Sequence, residues 1–524
     1  MSLPTFASWN VRGFNSPIKV NMCKDLIKLY NLKFLAILEA KIQASLAVDP
    51  WFAFSHNLFE NEKCCDNFNV SSPGRIWVKW DSSLVSFSPT FISSQIIHGV
   101  FASGCSPPII ISVIYAGNLQ EDRKDLWDNL LMLSSGINLP WVILGDYNCC
   151  RFEHEKAGGS PLLQGRLGEL NNFIFDCGLQ DLSSVGMKYT WFNQRVDLPI
   201  HIKLDRILVN SDLLDAYPTA FYKVDPPAGT DHSPLIFKSK SDERTFSRFL
   251  FKNYWLNCDE FWEVLLNAFG KPFTASPISA FYNYLGDLKS KIKEKRWPFS
   301  NFLSGEILEA KKNQMQNLND IQTNPLDPRL NASLKDSNKT LSHLQANWAS
   351  WVTRRSKAYW LSQGEDDLGF LYAKIRSIKN LNNIKEVDSP RGRLSSHHDI
   401  ADAFVRYFKD LFNAPIVDVR AFSNIPVADK VPSQYLDSLI APITDLEIKN
   451  VIFAGKASSA PGPDGFSFAF YQKIWHIIGY HLCLAVKHFF SSSCMPKRAS
   501  ATAITLIPKG SHSSSMNDYR PISL

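Results

Sequence analysis

The feature that most constrains the fold is a regular alternation, across residues 1–240, of short apolar runs with longer amphipathic stretches. The runs are rich in β-branched and aromatic residues and end at Gly, Pro, Asn or Ser, which predicts strands. They lie at residues 6–11, 34–39, 76–80, 109–116, 142–147, 204–209 and 235–238. Between them, residues 20–30, 121–134 and 165–177 place apolar side chains at helical spacing. Strands alternating with helices predict an α/β or α+β domain with layered sheets.

The pattern changes after residue 240, where long charged helical segments follow at 281–297, 303–321 and 344–379. Residues 324–328 and 388–392 are predicted turns because Pro, Gly, Asn and Asp cluster there. A third pattern begins near residue 443, with a helix at 445–454, a loop at 458–465, a helix through Phe490 and a strand at 503–508. We therefore predict three domains, at 1–240, 241–440 and 441–524.

Composition excludes several classes of protein. With 524 residues and 45% apolar side chains, the chain can bury two or three cores, which excludes a peptide hormone, a lone binding module and a disordered tail. Residues 1–240 carry 21 basic and 23 acidic side chains, whereas residues 241–524 carry 35 and 27. The basic excess lies entirely in the second half, and the overall charge does not by itself indicate nucleic acid binding.

Cysteine spacing and the N-terminus indicate the compartment. The ten cysteines contain no C-x-x-C pair, so neither a disulfide framework nor a zinc ribbon is expected. No basic region followed by an apolar run opens the chain, and no stretch approaches the roughly 18 apolar residues of a membrane helix. We expect a soluble intracellular protein in a reducing compartment, with no membrane partner; its oligomeric state is left open.

Polar side chains recur at the ends of the predicted strands. Each alone is typical of a surface turn or a helix cap, but together they suggest a site. Glu39, with Asn10 and Asp231, offers the oxygen ligands that Mg²⁺ prefers. Asp146 and Asn148 are two apart on an extended chain, so both point to one side, where they can hold and deprotonate a water.

An imidazole completes the candidate site. His232 follows Asp231 directly, and Asp205 is a candidate carboxylate to orient its ring. An oriented imidazole can serve as a cation or hydrogen-bond donor to a phosphate oxygen that gains charge in a transition state.

Seven motifs occur in a fixed order: N-V-R-G, L-E-A-K, I-Y, G-D-Y-N, T-W, L-D-R and D-H-S-P-L. This ordered set resembles the endonuclease/exonuclease/phosphatase superfamily, and within it the apurinic-type endonuclease domain of plant LINE (non-LTR) retrotransposon polyproteins. The resemblance covers about residues 3–240. It implies a four-layered α/β sandwich and a Mg²⁺-dependent hydrolysis of phosphodiesters, with Mn²⁺ as an alternative ion, that leaves a 3′-hydroxyl and a 5′-phosphate.

The resemblance also implies roles for single residues. Glu39 corresponds to the principal metal ligand, Asn10 to its neighbour and Asp231 to an outer acid on the metal side. Asp146 corresponds to the residue that aligns or activates the attacking water, and Asn148 to a phosphate contact.

Tyr115 corresponds to a tyrosine that touches the phosphate, and Asp205 with His232 to the carboxylate–imidazole pair. Thr190 and Trp191 resemble a segment near the scissile DNA strand, where Trp191 either stacks on DNA or packs in the core. Arg206, in the L-D-R motif, is a further candidate nucleic-acid contact.

The second half resembles the same polyprotein. Residues 348–376, including Trp348, Trp351, Arg354, Arg355, the run 360–365 and Phe370, are similar to the connector before its polymerase. Basic and aromatic side chains on such a helix can bind nucleic acid through phosphate contacts and stacking. Apolar residues at helical spacing are more often part of a hydrophobic core, and we favour that interpretation.

Residues 460–465 and 506–524 resemble the first fingers motifs of a reverse transcriptase, in which Lys509 and Arg520 contact the triphosphate of the incoming nucleotide. No Tyr-x-Asp-Asp motif for the palm metals is present. We therefore expect an incomplete fingers region without polymerase activity.

The leading hypothesis is a magnesium-dependent DNA endonuclease of a LINE-type element, whose nick primes reverse transcription of element RNA. The resemblance implies action in the nucleus, although no targeting signal is evident. Two alternatives stay open: a related phosphoesterase acting on a small phosphate ester, and an inactive remnant that binds nucleic acid.

Overall fold

The computed structural model describes residues 2–239, 249–294, 300–356, 368–413, 432 and 441–523, apart from 105, 163, 258, 271, 273–274, 391, 458 and 511–512. The chain divides into two compact units. The first comprises Met1–Arg244, Asp367–Phe412 and Ile507–Arg520, and the second comprises Thr245–Asp366, Asn413–Leu506 and Pro521–Leu524. Among the described residues, no helix combines the length and the apolar character needed to span a membrane.

Up to residue 239, the described part of the chain contains sixteen strands and six α-helices. The strands are β1 (Phe6–Asn10), β2 (Phe34–Ile42), β3 (Glu62–Asp66), β4 (Gly74–Asp81), β5 (Val85–Ile92), β6 (Ile96–Ser103), β7 (Ser106–Tyr115), β8 (Trp141–Asp146), β9 (Lys156–Ala157), β10 (Gln180–Asp181), β11 (Ser184–Gly186), β12 (Trp191–Phe192), β13 (His201–Ile202), β14 (Asp205–Val209), β15 (Phe221–Val224) and β16 (Leu235–Lys238). The helices are α1 (Pro17–Tyr30), α2 (Ala44–Ala47), α3 (Pro50–Ser55), α4 (Lys124–Ser134), α5 (Gln164–Asp176) and α6 (Ser211–Ala216).

Two large mixed sheets form the centre of this unit. The first has the strand order β11-β15-β16-β1-β2-β4-β3, and the second has the order β10-β14-β8-β7-β6-β5. Each sheet contains a parallel pair joined by a helical crossover, β1 and β2 through α1, and β7 and β8 through α4. Crossover helices must lie on a sheet face, so each sheet is covered on its outer side.

Three apolar clusters confirm the layering. One lies between the sheets and takes side chains from both, including Phe6, Phe34 and Val113. A second joins the opposite face of the first sheet to α1, and a third joins the outer face of the second sheet to α4 and α5. Phe6 faces the inner cluster and Ala7 the outer one, as the two-residue period of a strand requires. The unit is thus a four-layered α/β sandwich.

Local sequence explains where key elements begin and how closely they pack. Helix α1 begins after Ser16, whose hydroxyl accepts from the Ile18 amide, with Pro17 in the first turn. Gly145 has a φ of +147°, and a Cβ there would lie 2.0 Å from the backbone oxygen of Ile114. Only glycine permits this approach of β8 to β7.

The sequence predictions for this unit are confirmed for the seven strands and three helices that were named, with ends shifted by a few residues. Strands β3, β5, β6, β9 to β13 and β15 were missed. Short strands carry too few residues for a periodic signal, and β5 contains Ser, Pro and Thr at its exposed positions.

The second unit is mainly helical, as predicted. Its helices are α7 (Asp259–Phe269), α8 (Pro277–Glu294), α9 (Ser300–Thr323) and α10 (Pro328–Ser356), followed by α13 (Asp445–Ala454), α14 (Phe468–Lys473) and α15 (Trp475–Ser492). Helices α9 and α10 pack against each other, and the predicted turn at 324–328 separates them. Trp348 is buried, in agreement with the core interpretation. The side chains of Trp351, Arg354, Arg355 and Phe370, and the whole run 360–365, lie outside the described residues.

Between α10 and α13 lie α11 (Leu368–Leu381), the hairpin of β17 (Val387–Ser389) and β18 (Gly392–Leu394), and α12 (His397–Phe412), all in the first unit. The chain continues into β19 (Ile504–Pro508), which pairs with β20 (Tyr519–Ser523). Helix α11 is held to the sandwich by Asn380, whose side-chain amide donates to the backbone oxygen of Ala220. The sequence boundaries at 240 and 440 stay predictions.

Candidate active site

Polar side chains collect where the central strands of both sheets end. On the second sheet, Tyr115, Asp146 and Asp205 are direct neighbours across β7, β8 and β14. On the first sheet, Asn10 is the last residue of β1 and pairs with Leu38 of β2. Because the two sheets are stacked, their adjoining strand ends bring residues far apart in sequence into one site.

Strand β2 is irregular at the position that supplies Glu39. Its pairing with β4 is regular to Leu38 and resumes only at Ile42, and Glu39 and Lys41 both have positive φ, at 53° and 54°. Side chains other than glycine rarely adopt this conformation, and it costs of order 1–3 kcal/mol. Strain of this kind concentrates at functional positions, and here it places the Glu39 carboxylate at the site.

Four buried side chains form one connected network. The Asn10 side-chain amide donates to Asp146 Oδ2 at 3.0 Å and lies 3.4 Å from His232 Nε2. His232 Nδ1 donates to Asp205 Oδ2 at 2.9 Å, and its Nε2 lies 3.9 Å from Asp146 Oδ2. All four residues are at most 3% exposed. The polar atoms of Asp146, Asp205 and His232 lie within 4.8 Å of one another, so the two carboxylates and the imidazole form one compact cluster.

Burial and mutual charge set the protonation of this network. Burial alone would lower the pKa of His232, but the charges of Asp205 and Asp146 raise it to about 9. Burial and the charge of Asp205 also raise the pKa of Asp146, against the opposing effect of His232. The imidazole is therefore a cation at neutral pH, held between two carboxylates.

The network is positioned by threonine hydroxyls. Thr190 Oγ1 accepts from the backbone amides of Leu204 and Asp205, both at 2.9 Å, and Thr190 is 1% exposed. Its place is therefore behind Asp205, which corrects the prediction of a nucleic-acid contact. Thr230 does the same for His232, whose amide donates to the Thr230 hydroxyl at 2.9 Å. Sequence reasoning missed Thr230, although a threonine two residues before a functional side chain is a typical turn signal.

Asn148 and Tyr115 frame the network. The Asn148 backbone amide donates to Asp146 Oδ1 at 2.9 Å, and its side-chain amide donates to the Ala116 backbone oxygen at 2.7 Å. Asn148 thus fixes Asp146 directly. Tyr115 hydrogen-bonds Glu39, and burial with the charges of Glu39 and Asp146 raises its pKa above the ordinary range. Its phenol therefore stays neutral and links the two groups of acids.

The second group of acids contains Glu39 and Asp231. Burial would raise the pKa of Glu39, but Lys41, Asn10 and Arg12 lower it, so the carboxylate is ionised. Asp231 Oδ2 accepts from the Trp191 indole at 2.7 Å, whereas no donor among the described residues reaches its buried Oδ1. An oxygen-rich donor set with one unpaired carboxylate oxygen fits a hard divalent cation.

Two predicted nucleic-acid contacts, Trp191 and Arg206, have partners within the protein. Trp191 is half-buried, and its indole donates a hydrogen bond to Asp231. It is therefore part of the site rather than a simple core residue. Arg206 is fully buried, and its guanidinium binds Glu155 at 2.7 Å and Asp181 at 3.2 Å. This corrects the prediction for Arg206, because a buried and doubly paired guanidinium has no surface to offer to a phosphate.

Lys509 and Arg520 are exposed on the β19–β20 hairpin. The described contacts of the acid and imidazole cluster involve neither of them. The structure brings eight of the predicted site residues into one cluster, and their chemical roles stay proposals: Asn10, Glu39, Tyr115, Asp146, Asn148, Asp205, Asp231 and His232.

The part of the chain that contains these residues is similar to known proteins. The sequence model of the "Endonuclease/Exonuclease/phosphatase family" matches residues 7–232. A protein of Xenopus laevis named "Transposon TX1 uncharacterized 149 kDa protein" is 22% identical over 227 residues. That match covers 42% of this chain and only 16% of the transposon protein.

Solved structures similar to this chain include the AP endonuclease LMAP from Leishmania major, at 13% identity and a TM-score of 0.38, covering 46% of this chain and 88% of that one. The endonuclease domain of TRAS1, a telomere-specific non-LTR retrotransposon, is also 13% identical, with a TM-score of 0.35 over 46% of this chain and 100% of that one. Residues 7–232 of this chain therefore match an endonuclease/exonuclease/phosphatase domain.

Proposed function

We propose that this domain is a metal-dependent DNA endonuclease, which hydrolyses a phosphodiester and leaves a 3′-hydroxyl. The observation that carries the proposal is the buried network of Asn10, Asp146, Asp205 and His232 beside the ionised Glu39. Such a network supplies a base, a cation and a metal-binding acid within one site, which are the groups needed for attack of water on a phosphate.

Asp146 is the proposed base. Its raised pKa favours acceptance of a proton, and bonds from Asn10 and the Asn148 amide fix both carboxylate oxygens. A water aligned by Asp146 passes its proton to the Asp146 carboxylate as its oxygen attacks phosphorus in line. The bond from phosphorus to the 3′-oxygen breaks, and that oxygen takes a proton from solvent to become the 3′-hydroxyl. The attacking oxygen stays on phosphorus in the 5′-phosphate.

His232 is the proposed cation. Its Nδ1 is bound to Asp205, which fixes the ring, and its pKa of about 9 keeps the ring charged at neutral pH. The charged ring donates to a phosphate oxygen that becomes more negative during attack. A preorganised donor of this kind typically contributes about 10²- to 10³-fold in rate.

Glu39, Asn10 and Asp231 are the residues that would hold the metal, which we propose to be Mg²⁺, with Mn²⁺ also suited to the oxygen donors. A bound divalent ion supplies Lewis-acid stabilisation of the phosphate charge. Trp191 keeps Asp231 in place for this purpose, and Tyr115 does so for Glu39.

The biological setting is also a proposal. The similarity to a Xenopus laevis transposon protein supports a LINE-type retrotransposon as the source, with chromosomal DNA in the nucleus as substrate and element RNA as a partner of the longer polyprotein. Contacts of Lys509 and Arg520 with a nucleotide belong to the same proposal and await their own test.

Nicking of supercoiled plasmid by the full chain tests the activity. We expect nicking that requires Mg²⁺ and falls about 10²- to 10³-fold in Asp146→Asn. Asp128→Asn, which removes an exposed carboxylate of α4, is the matched control and should retain wild-type activity. An unchanged rate in Asp146→Asn contradicts the proposed base.

Two further outcomes would favour the alternative functions. A folded wild-type chain that binds DNA in a salt-sensitive and Mg²⁺-insensitive way without nicking would support the inactive remnant. Hydrolysis of a small phosphodiester such as bis-p-nitrophenyl phosphate, with no action on plasmid, would support a phosphoesterase.

A further inference from the structure

A basic side chain lies between the two acids of the proposed metal site. Arg12 Nη1 is 2.7 Å from Asp231 Oδ2, and Arg12 Nε is 3.9 Å from Glu39 Oε2. The Arg12 side chain is 51% exposed, whereas those of Asp231 and Glu39 are 5% and 13% exposed. A half-exposed guanidinium therefore lies between two largely buried carboxylates.

The backbone holds Arg12 in this position. It lies two residues after Asn10 with a φ of 50°, and its amide donates to the Asn10 side-chain oxygen at 3.1 Å. The next amide, of Gly13, donates to the Glu39 backbone oxygen at 2.8 Å. The turn after β1 is thus joined to the irregular part of β2, so the base of the Arg12 side chain is fixed while its guanidinium stays half-exposed beside Asp231.

Lys41 completes the charge balance. Its ammonium lies 2.7 Å from Glu39 Oε1, so each oxygen of Glu39 faces a cation. Two carboxylates and two cationic side chains give a group of zero net charge. A divalent cation that displaced both side chains would also give zero net charge. The exchange therefore leaves no uncompensated charge on the buried carboxylates.

We propose that Arg12 is a resident counter-ion that competes with the divalent metal, leaves Asp231 and Glu39 when the metal binds, and then contacts a phosphate of the DNA. This inference rests on the metal site of the proposed function. Trp191 keeps Asp231 in place after the exchange, because its indole bonds the same carboxylate independently of Arg12. A guanidinium suits the second contact, since it binds phosphate in a bidentate way.

Calorimetric titration of Mg²⁺ into the metal-stripped full chain, without DNA, tests the competition. We expect Arg12→Gln to bind Mg²⁺ on the order of tenfold more tightly, because a charge-assisted contact no longer has to be broken. Arg12→Lys, which keeps the charge, should stay near the wild type. Lys63→Gln, which removes an exposed charge from β3, is the matched control and should not differ from the wild type. Equal or weaker binding by Arg12→Gln would overturn the inference.

The double variant Arg12→Gln/Asp231→Asn tests the contact itself. If Arg12 competes through Asp231, its substitution should have little further effect once that carboxylate is removed. A tenfold gain that persists in the Asp231→Asn background would exclude this pair as the cause.

Salt dependence of DNA binding, with Ca²⁺ in place of Mg²⁺, tests the second half of the proposal. Arg12→Gln should reduce the slope of log affinity against log salt by about one. An unchanged slope would show that Arg12 does not reach a phosphate.

These outcomes separate the inference from the proposed function. If the wild type binds Mg²⁺ and Arg12→Gln binds it no better, only the inference fails. If Mg²⁺ gives no binding heat with the wild type, or gives the same heat with Glu39→Gln as with the wild type, the metal site of the proposed function is wrong.

Discussion

Thr190 offers the sharpest test of how the site is built. Its hydroxyl accepts hydrogen bonds from the partly buried backbone amide of Leu204 and the buried backbone amide of Asp205. Thr190→Val keeps the shape of the side chain and removes that acceptor. Each amide left without a partner costs about 1–3 kcal/mol, so we expect the free energy of unfolding of the first unit to fall by roughly 2–4 kcal/mol.

A loss of this size lowers the melting temperature by about 5–15 °C in a unit of this length. Differential scanning calorimetry of the full chain measures the change without DNA. Thr190→Ser keeps the hydroxyl and loses one methyl group, so it should cost only about 1 kcal/mol. If Thr190→Val melted with the wild type and only weakened DNA binding, Thr190 would be a nucleic-acid contact and the structural argument would be refuted.

Three further predictions follow from the same structure. Gly145→Ala should destabilise the first unit by roughly 2–5 kcal/mol in a denaturation experiment, because its Cβ would lie 2.0 Å from a backbone oxygen of β7, while Gly136→Ala should have little effect. Burial would raise the pKa of Asp181, but Arg206 and other basic groups lower it to about 2. The ionised carboxylate therefore stabilises the fold by roughly 2 kcal/mol above pH 4, and this contribution is lost as the pH falls towards 2. The difference in unfolding free energy between wild type and Asp181→Asn should shrink by that amount over this pH range. Asp205→Asn should lower the pKa of His232 from about 9, so the basic limb of the nicking profile should move to lower pH, and an unmoved limb would contradict the charge pairing.

The positions of the site residues could be predicted because strand ends are visible in sequence. Apolar runs that stop at a polar residue mark Asn10, Glu39, Tyr115 and Asp146, and a layered α/β fold brings such ends together. The order of the motifs then indicated the family whose sequence model matches residues 7–232. The pairing of Tyr115 and Asp146 across β7 and β8 required the register, which no local pattern contains.

The errors concern residues whose roles depend on the opposite side of a strand. Arg206 follows Asp205 directly, so the two side chains point to opposite faces of β14, and Arg206 is buried against Glu155 and Asp181. Sequence shows the positive charge but not the two acids that compensate it. The acid–guanidinium contact of Arg12 was missed for the same reason, since its partner Asp231 lies more than 200 residues away.

In the proposed mechanism, Glu39 and Asp146 belong to two parts of one centre, and Glu39 binds the metal while Asp146 acts on water. Measurement of the nicking rate as a function of Mg²⁺ concentration, for Glu39→Gln and Asp146→Asn, tests it most directly. We predict that Glu39→Gln raises the Mg²⁺ concentration required, whereas Asp146→Asn lowers the rate at saturating Mg²⁺ by about 10²- to 10³-fold with little change in the concentration required. If the nicking rate of both variants depended on Mg²⁺ concentration as that of the wild type does, the division of roles between Glu39 and Asp146 would be wrong.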